Sequence, residues 1–307
     1  MTMPAKKRIE KGLWWDRNWP VLEGCTPCSP ACDNCFAAEY AHRFEGSLPY
    51  LRGLTTPEGK WNGTVIMRQD QLDLPLKTKK PTVWFVAERS DLFHPAVTDE
   101  YLDRIFAVMA MSPQHTFMVL TKRPERMRDY FSGWVGGSRE VKTSRPNIMG
   151  ELRLPFPNLW IGVTAENQEQ ADKRIPFLLE TPAAHRFVSI EPMLGSVKLE
   201  DFDEELGAPY IGRDYLRITH DPVQQVDVRG RIDWIICGGE SGRKARPVHP
   251  DWVRAIRDQC AEAGVPFFFK QWGEYRPAES ISETMVRSGK TAAGRLLDGK
   301  EHLEFPA

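Results

Sequence analysis

The sequence has no apolar run long enough to span a bilayer, which excludes a helical membrane protein. The opening Met-Thr-Met-Pro-Ala-Lys-Lys-Arg has no apolar stretch behind it, so no secretory leader is expected and a cytoplasmic location is. The formal net charge is only −1, which excludes the strongly basic surface of a protein that grips nucleic acid by charge alone. Local basic stretches (Lys77/Lys79/Lys80, Lys122/Arg123/Arg126/Arg128 and Arg243/Lys244/Arg246) permit phosphate contact without requiring it. There is no internal repeat, no low-complexity tract and no clear linker. Cysteine is scarce, with six in 307 residues, but four of them fall within eleven positions.

Those four are Cys25, Cys28, Cys32 and Cys35, in a loop that also carries Pro27 and Pro30. Thiols this crowded are not packing residues, and a reducing compartment favours metal ligation over disulfides. The last three follow a C-x3-C-x2-C spacing. Three thiolates on such a loop can hold three corners of a 4Fe–4S cube and leave one iron open for the amino and carboxylate groups of S-adenosylmethionine (SAM). A zinc site using all four thiolates is the alternative, but its ligand pairs ordinarily lie a dozen or more residues apart, against three between Cys28 and Cys32. Cys25/Cys32/Cys35, spaced C-x6-C-x2-C, is a second possible ligand triad. A helix over 37–44 leaves the loop. Cys237 and Cys260 lie far away, and structural burial is expected for both.

Six short runs are β-branched or aromatic and nearly continuously apolar: 82–87 (TVWFVA), 116–121 (TFMVLT), 159–164 (LWIGVT), 185–190 (HRFVSI), 232–238 (IDWIICG) and 266–270 (PFFFK). Continuous apolar character marks strands buried on both faces, as in a parallel sheet. Helical periods lie between them. Thr98 can cap a helix carrying Leu102, Ile105, Phe106 and Met109. Ala171, Ile175, Leu178 and Leu179 form a second stripe ending at Thr181-Pro182. Val253, Ile256, Cys260 and Ala263 form a third ending at Gly264. Alternating strand and helix predicts an α/β fold.

Polar residues follow each run: Glu88-Arg89-Ser90-Asp91, Lys122-Arg123, Glu166-Asn167, Glu191, Glu240-Ser241 and Gln271-Trp272. A barrel would gather these strand ends around one mouth, whereas a doubly wound sheet would use a single switch point. The reading is a partial parallel (β/α)6-type, TIM-like barrel over 1–276, with a further strand near 19–22 leading into the cysteine loop. Insertions fall near 133–150, read as mobile, and 201–231, read as a possible lid; 277–307 forms a C-terminal tail. Glu166, Glu191 and Asp91 are the catalytic candidates at the mouth. Gly238, Gly239, Glu240 and Ser90 are the candidates for holding SAM, the glycines by letting a ligand approach the backbone. Trp272 could stack on a base, though core packing suits it better, and His94 reads as a structural hydrogen-bonding residue.

The loop from Gly24 to Ala37 recurs with Ser90-Asp91-Leu92-Phe93-His94, Leu120-Thr121-Lys122-Arg123-Pro124, Gly162-Val163-Thr164-Ala165-Glu166-Asn167-Gln168, Glu191-Pro192 and Gly238-Gly239-Glu240-Ser241-Gly242. Together these resemble a phage- and prophage-encoded, three-cysteine, radical SAM-like family across nearly the whole chain. The resemblance implies a radical SAM barrel, a 4Fe–4S cluster and SAM as cofactors. It also implies the C-x6-C-x2-C triad Cys25, Cys32 and Cys35, with Cys28 an extra thiol. SAM cleavage would then yield a 5′-deoxyadenosyl radical. Some members are associated with thymidine hypermodification in phage DNA, implying an isomerase that converts an N-linked aminoacyl thymidine to the C-linked form. The implied partners are modified DNA or a nucleoside and an external donor of flavodoxin or ferredoxin type, with no membrane. The implied location is host cytoplasm. Repair of a base lesion, or another base modification, is a second reading. A non-catalytic, zinc-stabilised nucleic-acid-binding module is a third.

Overall fold

A computed structural model describes residues 8, 12–134, 138–142, 149–203, 208–216, 219–221, 226–278 and 284–306. Seven strands form its main sheet: β1 (Arg17–Trp19), β2 (Val83–Val86), β3 (Thr116–Thr121), β4 (Leu159–Thr164), β5 (His185–Ile190), β6 (Trp234–Gly238) and β7 (Phe267–Gln271). They lie side by side in sequence order, β1 through β7. The registers of β1 on β2, β2 on β3, β5 on β6 and β6 on β7 are all parallel. A doubly wound sheet reverses its strand order at a switch point. Here each strand neighbours its successor, the winding of a partial (β/α) barrel.

The apolar runs explain the sheet. All six residues of β4 and all five of β6 are buried, as expected of strands covered on both faces. Five principal helices alternate with the strands or precede them: α1 (Phe36–Phe44), α2 (Asp99–Ala110), α3 (Pro124–Ser132), α4 (Gln168–Glu180) and α5 (Pro250–Ala263). Thr98 caps α2 as expected, its hydroxyl accepting from the Tyr101 N–H. The α4 stripe of Ala171, Ile175, Leu178 and Leu179 is buried, and α5 stops at Gly264. Helix α3 was not anticipated; its signal is Pro124 at the first helical position.

The strand expected near 19–22 is divided. Pro20 lacks an N–H for a ladder, so β1 ends at Trp19, and Leu22–Glu23 pairs separately and antiparallel with Ile66–Met67. The stretch expected as an insertion at 133–150 contributes to an antiparallel hairpin, Ser138–Lys142 with Met149–Arg153. The one at 201–231 contributes to two, Glu200–Asp203 with Ala208–Asp214 and Thr219–Asp221 with Val226–Arg229. Parts of both stretches lie outside the described residues.

The chain divides into two compact units. The first comprises Met1–Gly162 with Thr181–Ala184, and its core packs the rings of Phe93, Phe106, Tyr130, Phe131, Trp134 and Phe156 together in stacked, tilted and edge-on pairs. The second comprises Val163–Glu180 with His185–Ala307. There the stretch read as a tail returns alongside β7. The Phe269 N–H donates to the His302 carbonyl, the Glu304 N–H donates to the Phe267 carbonyl, and Phe305 packs 4.7 Å from the Trp234 ring. β7 is the last strand of the sheet, and this return satisfies part of its open edge. Cys237 and Cys260 are fully buried, as expected. Among the described residues no helix is long and apolar enough to cross a membrane.

Candidate functional site

Within the first unit, the segments that leave the carboxyl ends of β1, β2 and β3 meet at the cysteine loop. Its entry is fixed by charge. Glu23 is fully buried and receives a forked pair of hydrogen bonds from Arg89, Nε to Oε2 at 2.9 Å and Nη2 to Oε1 at 2.5 Å. Burial raises the Glu23 pKa, against the pull of Arg89 and Arg68. Gly24 follows at φ +87°, and a Cβ there would collide with the Thr64 carbonyl. Its own carbonyl accepts from Ser90 Oγ at 2.5 Å. Ser90, expected to touch a cofactor, therefore anchors the loop.

Beyond Gly24 the thiols spread along a stiff path. Cys25 is half-buried, Cys28 exposed, and Cys32 ends the short turn Pro30–Cys32. Cys35 is the N-cap of α1. Cys25 and Cys35 both pack against the apolar cluster Ala37, Ala38, Ala41, Leu51, Leu54 and Trp61.

Asp91 and Arg123 tie this loop to β2 and β3. The Asp91 carboxylate accepts from Thr121 Oγ1 (2.7 Å), the Lys122 N–H (3.0 Å), the Phe93 N–H (3.0 Å) and Arg123 Nη1 (2.9 Å). Arg123 also donates through Nη2 to the Thr26 carbonyl at 2.7 Å and through Nη1 to Cys25 Sγ at 3.7 Å. Burial and the Asp91 charge push the Cys25 thiol up to about 11, with Arg123 opposing. A hydrogen bond from Cys28 lowers Cys32 to about 5 despite burial, helped by Lys122 and the backbone of Cys28 and Ser29. The same bond raises Cys28.

His94 has the structural part expected of it. Its Nδ1 accepts from the Ala96 N–H at 3.1 Å, which leaves Nε2–H to donate to Thr26 Oγ1 at 2.9 Å. Burial, then Arg123, lowers its pKa, so the neutral ring is the one folding uses. Its stabilisation is complete above the ordinary histidine value of about 6.5 and is lost as pH falls through the lower folded value. Urea midpoints of the metal-free protein should therefore fall more steeply between about pH 6.5 and the lower folded value than those of His94→Asn. Equal slopes would contradict this.

The donor chemistry of the loop suits an anionic cluster. Four thiols share eleven residues with Arg123 on one thiol, Lys122 beside two others and a helix N-terminus at the last. Among the described residues, no group of three or more His, Cys, Asp or Glu side chains is placed to hold a metal ion.

The other expected residues lie in the second unit. Glu166 is completely buried, and its Oε2 meets Arg174 Nη1 at 2.8 Å. Glu240 is buried and accepts from the Arg246 backbone N–H (2.8 Å), Nε (2.9 Å) and Nη2 (2.6 Å). Gly239 lies where a Cβ would collide with the Trp272 carbonyl, so its missing side chain serves a close backbone crossing. Trp272 is buried, with its indole N–H on the Leu296 carbonyl at 2.9 Å. Glu191 is more open. Following β5, it accepts from Lys270 Nζ of β7 at 2.8 and 3.0 Å, and a Cβ on Gly238 of β6 would lie 3.3 Å from its carboxyl. The structure thus groups Ser90 and Asp91 with Cys25, and Gly238 with Glu191 and Lys270. Glu166 and Glu240 are each held in an internal ion pair. Arg123 was not among the candidate site residues, although the sequence placed it in a basic stretch and in the polar pair that follows the second apolar run.

These features define an α/β protein wound as a partial (β/α) barrel, with a four-thiol loop at the carboxyl ends of its first strands. The chain belongs to the family described as a protein of unknown function, DUF5131, whose model matches residues 8–306. No curated protein matches. Among solved structures, a mutant of spore photoproduct lyase aligns over 88% of this chain and 68% of its own, at 10% identity and a TM-score of 0.37.

Proposed function

We propose that this protein is a radical SAM enzyme that modifies a nucleic-acid base. The observation that carries the reading is the cysteine loop, fixed at the carboxyl ends of β1–β3 and charge-compensated by Arg123 on Cys25. A 4Fe–4S cluster with SAM, when bound, supplies a radical able to take hydrogen from an unactivated C–H bond. Cys25, Cys32 and Cys35 are the ligands we assign to it. The apolar cluster behind Cys25 and Cys35 keeps water from one side of the loop.

The specific reaction we propose is rearrangement of an N-linked glycyl thymidine to its C-linked form in phage DNA; the family resemblance supports this choice. Hydrogen loss at the glycyl α-carbon would give a stabilised carbon radical, and a base within duplex DNA would need to be flipped out of the stack. Electrons would come from a flavodoxin- or ferredoxin-type donor. The test is transfer of deuterium from labelled N-glycyl thymidine into 5′-deoxyadenosine by the reduced, cluster-loaded protein. Transfer with a C-linked product supports the isomerase. Transfer only from a damaged or differently modified base moves the reaction to lesion reversal or another modification. Colourless protein holding one zinc and inert toward all of them would overturn the enzyme.

A further inference from the structure

Arg123 makes three contacts that no other side chain described here combines. It meets a buried carboxylate, the backbone of the cysteine loop and one of the loop's thiols. Its side chain is 13% exposed and that of Asp91 6%, so the group is largely screened from water. Two of its hydrogen bonds fix position: Nη1 to Asp91 Oδ2 at 2.9 Å and Nη2 to the Thr26 carbonyl at 2.7 Å. The third, Nη1 to Cys25 Sγ at 3.7 Å, aims an N–H and a positive charge at sulfur. Asp91 is in turn held by Thr121 Oγ1 and by the Lys122 and Phe93 N–H groups, so the guanidinium has little freedom to turn away. Arg123 itself lies one residue before α3, which fixes its backbone.

Hydrogen bonds to ligand sulfurs and the net charge around a cluster are what set an iron–sulfur potential. On this geometry, and resting on the function proposed above, we infer that Arg123 is a positioning residue. It clamps the Cys25 limb of the loop and raises the reduction potential of the bound cluster through that one thiolate, while Asp91 opposes it with a negative charge. The two residues therefore form a push–pull pair with opposite electrostatic effects on a single ligand. A purely structural pair would have no such opposition.

The test uses the full chain with Arg123→Gln, Arg123→Lys and Asp91→Asn, reconstituted without oxygen. Iron and sulfide content, the EPR-monitored potential in a dithionite titration and SAM binding are measured on each. Arg123→Gln should keep its cluster at a lower potential, Arg123→Lys should fall between it and the parent, and Asp91→Asn should shift upward. Potentials that stay put, or that move in the same direction for Arg123→Gln and Asp91→Asn, would overturn the inference. So would an Arg123→Gln that leaves the potential unchanged but weakens SAM binding, which would make Arg123 a cosubstrate contact. Hydrogen exchange at residues 25–32 of the metal-free protein gives an independent readout if a variant loads poorly. Arg123→Gln should accelerate it severalfold, and no acceleration would refute the clamp. If the parent chain itself takes up no cluster, the proposed function fails, and the exchange result still decides the clamp.

Discussion

Replacing Cys25, Cys32 or Cys35 with alanine should reduce anaerobically reconstituted iron to background and abolish SAM cleavage, whereas Cys28→Ala should keep both. The Cys25, Cys32 and Cys35 triad is the one the family resemblance implies, and the four thiols are held differently in the fold. Cys25 carries the Arg123 contact and packs, like Cys35, against the apolar cluster behind the loop; Cys35 also begins α1. Cys32 closes the Pro30–Cys32 turn, and the hydrogen bond from Cys28 lowers its pKa. Cys28 is exposed and acts toward Cys32 as a hydrogen-bond donor. Removing a ligand from a three-thiolate set leaves an iron without its protein anchor, so the loss should be near complete. Iron and sulfide analysis of the four single variants decides it. A Cys25→Ala protein that stays fully loaded while Cys28→Ala loses its iron would transfer the ligand role to the C-x3-C-x2-C triad.

The second large effect is on stability. Glu166→Ala leaves the Arg174 guanidinium, 2% exposed, without its carboxylate partner. Breaking a buried pair from one side costs about 3–5 kcal/mol, because the remaining charge stays out of water. That is a large fraction of a typical domain's stability. Arg174 also donates to the Thr164 carbonyl at the end of β4, so the damage should loosen the junction between that strand and α4. Urea unfolding of the metal-free variant measures it. Unchanged stability together with lost catalysis would instead put the Glu166 carboxylate in contact with substrate.

The sheet was readable because burial on both faces removes the polar half of a strand pattern. LWIGVT and WIICG advertise themselves for that reason, and both are buried throughout. β1 was harder. Its sequence is Arg-Asn-Trp, and only Trp19 is buried, so almost no apolar signal marks an edge strand of three residues. The cysteine loop was legible because its chemistry is local, four thiols in one stretch. Charge partners were not. Asp91 and Arg123 lie 32 positions apart and Glu191 and Lys270 lie 79 apart, and nothing in their spacing says which carboxylate meets which cation. For that reason Glu166 and Glu240 read as open carboxylates at strand ends, while in the fold each already has an arginine.

The ligand assignment and the effect of Arg123 on the reduction potential both depend on a bound cluster, and the proposed reaction on one whose open iron engages SAM. The most direct measurement is 5′-deoxyadenosine released when the reconstituted, reduced protein is given SAM without oxygen. The account predicts its formation in the parent chain and in Cys28→Ala, and none in Cys32→Ala. A fully loaded, reduced parent protein that releases no 5′-deoxyadenosine, with or without nucleic-acid substrates, would contradict it.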